Sequence, residues 1–290
     1  MPVKRIFIAG AGNIGQGIAE VAASSGIGVV LSDIREDILE AGLAGIENSL
    51  DSSIKRWGIT AGEKRGILSR IETVVGIGKV EGCEFAIGAV PERIRLKQDL
   101  FRDFDLAFHS ETILVTTTST LNITLIANET SRPEKVVGMH FLHPVPKRAV
   151  VEVARALKTS DETFEAAVQL ATDMKKQVVE VCEYPGYVTT RVIIPFINEA
   201  AYALMEGVAS AEGIDTAMKL GFGFPAGPLE LADNIGLDEV VQRMEGLFRE
   251  LGDFKYRPCP LLRMMVRDQK LGRKTGEGFF KYSDTGEDEK

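Results

Sequence analysis

The chain has 290 residues, 44% hydrophobic and 26% charged, ordinary for a globular protein and enough for one large domain or two modest ones. Its 42 acidic residues outnumber 34 basic ones, a formal charge of −8, which argues against nucleic-acid and acidic-membrane binding, although a local basic cluster can still take an anionic ligand. Cys83, Cys182 and Cys259 are odd in number, far apart and without a Cys-x-x-Cys pattern, so neither a disulfide framework nor a zinc site is expected.

Residues 3–9 (VKRIFIA) are a short apolar run with β-branched members and predict a buried strand. Residues 13–25 have helical periodicity, with Ile14, Ile18, Val21 and Ala22 on one face. A second strand centres on 29–31. A long helix over 37–57 and a second helical stretch over 63–71, separated by Gly58 and Gly62, predict a helical hairpin. Further buried strands are predicted at 85–90, 113–117, 136–141, 150–153 and 178–181, with helices at 92–107 and 162–176. This alternation implies a mostly parallel, doubly wound α/β sheet of Rossmann type over 1–183. Tyr184-Pro185-Gly186-Tyr187 is a turn or linker signal. Beyond it, 188–206, 211–220, 237–250 and 261–268 look helical, so 184–290 predicts a smaller all-α domain, ending in a charged tail at 284–290 that is expected to fray. The chain runs straight into its first strand, which predicts no signal peptide. No apolar run is long enough to span a bilayer, and a cytoplasmic location is the default expectation.

Gly10-Ala-Gly12-Asn13-Ile14-Gly15 sits between the first strand and the first helix. Gly10 permits the tight turn, Gly12 lets a pyrophosphate approach the backbone, and Gly15 lets helix and strand pack closely. The helix N-terminus offers unpaired N–H groups to phosphate. Asp33 ends the second strand, roughly 20 residues on, where a ribose-binding acid belongs. A carboxylate there accepts from a ribose 2′-hydroxyl and repels a 2′-phosphate, which favours NAD over NADP; Arg35, two residues later, works against that preference.

The three histidines are His109, His140 and His143. His109 lies in a polar stretch and carries no expectation. His140 ends the apolar run of the predicted strand 136–141, and the carboxyl ends of strands in an open parallel sheet face the ligand crevice. An imidazole there suits proton transfer, and Glu152 in the next apolar run is out of place unless paired. A satisfied core histidine fits the same residues. His140-x-x-His143 has no nearby third ligand, so no metal is expected.

The segments GAGNIGQGI (10–18), MHFLHPVP (139–146), Val151-Glu152-Val153, Pro185-Gly186-Tyr187, Gly227-Pro228-Leu229 and Lys274-Thr275-Gly276-Glu277-Gly278-Phe279 occur in an order that resembles the 3-hydroxyacyl-CoA dehydrogenases over nearly the whole chain. The resemblance implies NAD-dependent oxidation of an L-3-hydroxyacyl-CoA, in fatty acid metabolism, by a homodimer joined through its helical domain. It implies that His140 is the catalytic base, Glu152 its orienting acid and Ser119 the substrate-binding serine. Gly10, Gly12, Asn13, Ile14, Gly15 and Asp33 would hold the cofactor, with Glu92 and Lys97 near its ribose and Thr117 near the nicotinamide. The hairpin, with Lys55, Arg56, Lys64 and Arg65, would help hold the CoA; taken as residues alone, it reads as a solvated charged surface.

Several departures from the family pattern cluster at the implied site. His143 and Thr190 stand where asparagines are usual, Thr117 replaces another, and Lys147-Arg148-Ala149 replaces an apolar stretch before a lysine. His143 or Arg148 would then meet an extra polar or acidic substrate group, and Thr190 offers one hydroxyl in place of an amide. Two alternatives stay open at this point: a dehydrogenase of another hydroxy acid, and a non-catalytic NAD-binding homologue.

Overall fold

The apolar run that opens the chain becomes β1 (Arg5–Ala9), and its alternation buries both faces. Ile6 and Ile8 enter the cluster with Ile18, Ala22 and Leu31, whereas Phe7 meets Phe104 and Phe108 at ring distances of 5.9 and 5.0 Å. A strand covered on both faces is what a parallel sheet requires. The computed structural model describes residues 3–56, 58–78 and 80–282; the predicted tail at 284–290 and the predicted last helical residue Trp57 lie outside them.

Two compact units form, Met1–Tyr184 and Pro185–Lys290. In the first, α1 (Asn13–Ser24), β2 (Gly28–Asp33), α2 (Glu36–Lys55), α3 (Ala61–Leu68), β3 (Ile71–Val75), β4 (Phe85–Gly88), α4 (Ile94–Ala107), β5 (Ile113–Thr116), α5 (Ile123–Ala127), β6 (Val136–Phe141), β7 (Val150–Arg155), α6 (Asp161–Asp173) and β8 (Gln177–Val181) follow one another. The eight-stranded sheet has the order β3-β2-β1-β4-β5-β6-β7-β8. Its pairs are parallel except β6–β7.

The predicted helix over 63–71 is corrected. A capping box, in which Thr60 and Glu63 bond reciprocally, starts α3 at Ala61, and the helix ends at Leu68. Ile71–Val75 is an edge strand instead, rich in β-branched residues and with Glu72 held by Arg5 at 2.6 Å. The five-residue α5, capped by Asn122, is too short to show a period.

The second unit holds α7 (Thr189–Met205), α8 (Ala211–Phe222), α9 (Pro228–Ile235), α10 (Leu237–Leu251) and α11 (Pro260–Arg267). Its core joins Ile194, Ile197, Ala201, Leu237, Val240, Met244 and Leu262. The sequence reading did not predict α9, which starts on Pro228, a residue suited to the first helical position. No helix among the described residues is long and apolar enough to cross a membrane.

Candidate active site

The glycine loop has the geometry its spacing requires. Gly10 has φ +106°, a region side chains rarely adopt, and a Cβ there would press on the Ala89 carbonyl. A Cβ on Gly15 would collide with the Gly10 carbonyl. At Gly12 the Cβ position is open, with nothing within 4 Å, so a ligand reaching the start of α1 meets bare backbone. Asp33 fixes the loop: its Oδ2 accepts from the Ala11 N–H and its Oδ1 from the Ile34 N–H, both at 2.8 Å.

Beside it lies a cavity of about 530 Å³ lined by Gly10, Asp33, Ile34, Ile77, Leu96 and Leu100 among others. A mostly apolar slot that reaches Asp33 and the glycine loop fits an adenosine and its pyrophosphate. Ile14 packs on the core of the unit, and Asn13 lines a second cavity.

Antiparallel pairing sets His140 on β6 opposite Glu152 on β7. His140 Nδ1 is 2.7 Å from Glu152 Oε2, and the two side chains are 4% and 1% exposed. The acid that looked misplaced in an apolar strand is there because the facing strand carries its partner. A buried carboxylate at Nδ1 keeps that nitrogen protonated and assigns base chemistry to Nε2.

The turn after β5 is organised by one carboxylate. Glu92 Oε1 accepts from Thr118 Oγ1 at 2.6 Å, from the backbone N–H of Ser119 and Thr120 at 2.9 Å each, and from the Ser119 and Thr120 hydroxyls at 3.3 and 3.2 Å. Burial opposes the Glu92 charge, but the Lys97 ammonium and these donors outweigh it and hold the carboxyl down at about 2. Lys97 is fully buried, 3.5 Å from Glu92, and donates to the Val90 carbonyl; burial pulls its pKa down, against the pull of Glu92. Val90 lines the first cavity, so this pair links that cavity to the Ser119 turn. Thr117 donates its hydroxyl to the Gly88 carbonyl at 3.0 Å.

The second cavity, of about 410 Å³, lies between α1, α2 and the 143–147 segment, and Arg56, His143 and Lys147 line it with Asn48, Ser49 and Glu20. Lys55 and Arg148 are not among its lining residues. Arg148 Nε donates to the His143 carbonyl at 3.3 Å, and Lys64 pairs with Asp51 at 2.7 Å. Glu20 and Lys176 are two further buried charged residues of this region. Glu20 is a buried acid on α1 whose pKa burial raises, while its bond from Ser49 lowers it. Lys176 donates to the Val145 and Arg148 carbonyls at 2.7 Å each, pinning the segment after His140. Neither had a sequence signal beyond a charged residue beside an apolar run.

In the second unit Thr190 is buried in the first turn of α7, and its hydroxyl has no hydrogen-bond partner among the described residues. The Lys274–Phe279 motif closes around Asp233, which accepts from the Phe279 and Phe280 N–H groups and the Tyr282 hydroxyl, all at 2.9 Å. Cβ atoms on Gly272 or Gly278 would collide with Asp233. Among the described residues no group of three or more His, Cys, Asp or Glu side chains could hold a metal ion.

A glycine loop backed by Asp33 and a buried imidazole–carboxylate pair, on one Rossmann-type sheet, define a dinucleotide-dependent oxidoreductase. Residues 5–184 match the family model described as 3-hydroxyacyl-CoA dehydrogenase, NAD binding domain, and 186–282 match 3-hydroxyacyl-CoA dehydrogenase, C-terminal domain. The chain belongs to the 3-hydroxyacyl-CoA dehydrogenase family. It is similar to a probable 3-hydroxybutyryl-CoA dehydrogenase of Bacillus subtilis (strain 168), 44% identical over 284 residues that cover 98% of this chain and 99% of that one. The mitochondrial hydroxyacyl-coenzyme A dehydrogenase of Homo sapiens is 39% identical over 287 residues, 97% of this chain and 91% of that one. The crystal structure of the (S)-3-hydroxybutyryl-CoA dehydrogenase PaaH1 from Ralstonia eutropha superposes with a TM-score of 0.89 at 41% identity, covering 97% of this chain and 100% of that one.

Proposed function

We propose that this protein catalyses the reversible NAD-dependent oxidation of a short-chain L-3-hydroxyacyl-CoA, such as 3-hydroxybutyryl-CoA, to the 3-oxoacyl-CoA. The observation that carries the proposal is the 2.7 Å His140–Glu152 contact, in a chain that aligns end to end with named 3-hydroxybutyryl-CoA dehydrogenases.

NAD, held at the glycine loop and Asp33, supplies the hydride acceptor, or in reduced form the donor. His140 Nε2 takes the proton of the substrate hydroxyl in the oxidative direction and returns it in the reductive one. Glu152 keeps the ring in the tautomer that leaves Nε2 basic and stabilises the imidazolium, an interaction strengthened by burial. Ser119 turns its hydroxyl from Glu92 to donate to the reacting oxygen, while the Ser119 and Thr120 N–H bonds to Glu92 hold the turn that carries it. Arg56 and Lys147 suit the CoA phosphates, and the hydroxyl and amide groups of the second cavity suit its pantetheine arm.

The protein acts as a homodimer in the cytoplasm. Supporting the dimer, Val192, Val208, Leu220 and Phe222 on and beside α7 and α8 are exposed, an apolar surface that a second copy would cover.

NADH oxidation with acetoacetyl-CoA tests the function. Turnover lost by about 100-fold or more in His140→Ala is the expected result. No turnover by the wild type would move the assignment to another hydroxy acid or to a non-catalytic role. Thr190→Asn, which restores the amide usual in the family, is expected to raise the rate.

A further inference from the structure

Arg35 is the cation nearest in sequence to the ribose acid Asp33, and by charge alone it would welcome a 2′-phosphate. In the structure it is already taken. Its Nε donates to Asp37 Oδ1 at 2.9 Å and its Nη2 to Asp37 Oδ2 at 2.5 Å, a two-pronged pair on one carboxylate. The geometry has a local cause. Arg35 is the extended residue that precedes α2, and Asp37 lies in the first turn of that helix, where an acid is favoured by the helix dipole. The cavity that opens at Asp33 is lined by two further acids, Asp99 and Asp103, and by no cation among the described residues; Asp99 is itself answered by Arg102 at 3.0 Å.

We propose that Asp37 is a specificity-determining residue for the cofactor: by occupying both prongs of Arg35 it denies a 2′-phosphate its cation, so that the choice of NAD over NADP is shared between Asp33 and Asp37. Asp33 repels the phosphate directly, and Asp37 disarms the residue that would attract it. Both members of the pair are exposed, at 63% and 65%, so the lock is modest and weakens with salt. The inference rests on the NAD reading of the site.

The test is fluorescence titration of NADH and NADPH against the full chain at low salt, without substrate. The variants are Asp33→Ser, Asp33→Ser/Asp37→Asn, and the latter with Arg35→Ala added, each checked for an unchanged thermal melt. In the Asp33→Ser background, Asp37→Asn is expected to raise the NADPH-to-NADH affinity ratio by about 2- to 5-fold, and Arg35→Ala is expected to abolish that gain. A ratio unmoved by Asp37→Asn, or a gain that survives Arg35→Ala, overturns the role of Asp37. In either case wild-type NADH binding leaves the cofactor reading standing. A wild type that binds neither nucleotide overturns both.

Discussion

His140 and Glu152 face each other at the register position where β6 meets β7 antiparallel, and their side chains touch at 2.7 Å in a buried setting. The direction of β7 makes this possible, because it returns the chain past the end of β6 within twelve residues. The pair therefore sits on two adjacent strands rather than on loops, and its geometry is held by the backbone ladder.

Glu152→Gln should keep the fold and an acceptor for the Nδ1 hydrogen but lose the negative charge behind the ring. We expect kcat for acetoacetyl-CoA reduction to fall by about 100-fold with little change in the KM for NADH. Steady-state kinetics would check this; a rate within a few-fold of wild type would remove the charge-stabilising role.

Glu92 makes a prediction about pH. Its carboxyl is held at about 2 against an ordinary value of 4.5. An acid depressed in the folded state adds its stability above about pH 4.5 and loses it as pH falls toward 2, worth on the order of 3 kcal/mol here. Glu92→Gln also leaves buried Lys97 without its counter-charge. Urea unfolding should show the variant less stable at pH 7, with the gap roughly halved near pH 3. A gap that is flat from pH 7 to pH 3 would contradict the ionised network.

Asp233→Ala strips two backbone N–H groups and the Tyr282 hydroxyl of their acceptor. The cost should be about 2–4 kcal/mol, visible as a lowered Tm. Asp233→Asn, which keeps one acceptor oxygen, should cost less. Equal losses in the two variants would mean that packing, and not acceptance, dominates.

The second cavity separates two neighbouring cations. Lys147 lines it, whereas Arg148 is tied to the His143 carbonyl. Lys147→Met should raise the KM for acetoacetyl-CoA by about 5- to 10-fold and Arg148→Met by less than twofold. The reverse order would place Arg148, and with it an acidic substrate group, at the binding surface.

Much of this protein was legible as sequence. The alternation of buried strands and amphipathic helices determined a doubly wound sheet followed by helices, because each pattern has its own period and permits one kind of packing. The glycine loop and Asp33 were legible for the same reason, since their spacing is local and the backbone demands it. The edge strand Ile71–Val75 was not, because it lacks the fully buried apolar run that marks the inner strands, and the five-residue α5 is too short to display a helical period.

Contacts between distant residues needed the tertiary structure. It decided that Glu152 meets His140, that Glu92 gathers the Thr118–Thr120 turn from 26 to 28 positions away, and that Gly278 of the Lys274–Phe279 motif, with Gly272 just before it, leaves room for Asp233. It also decided that Arg56 and Lys147, rather than Lys55 and Arg148, face the second cavity. Local order follows from the character of successive residues, whereas the partner of a buried charge depends on which strands and turns the whole fold brings side by side.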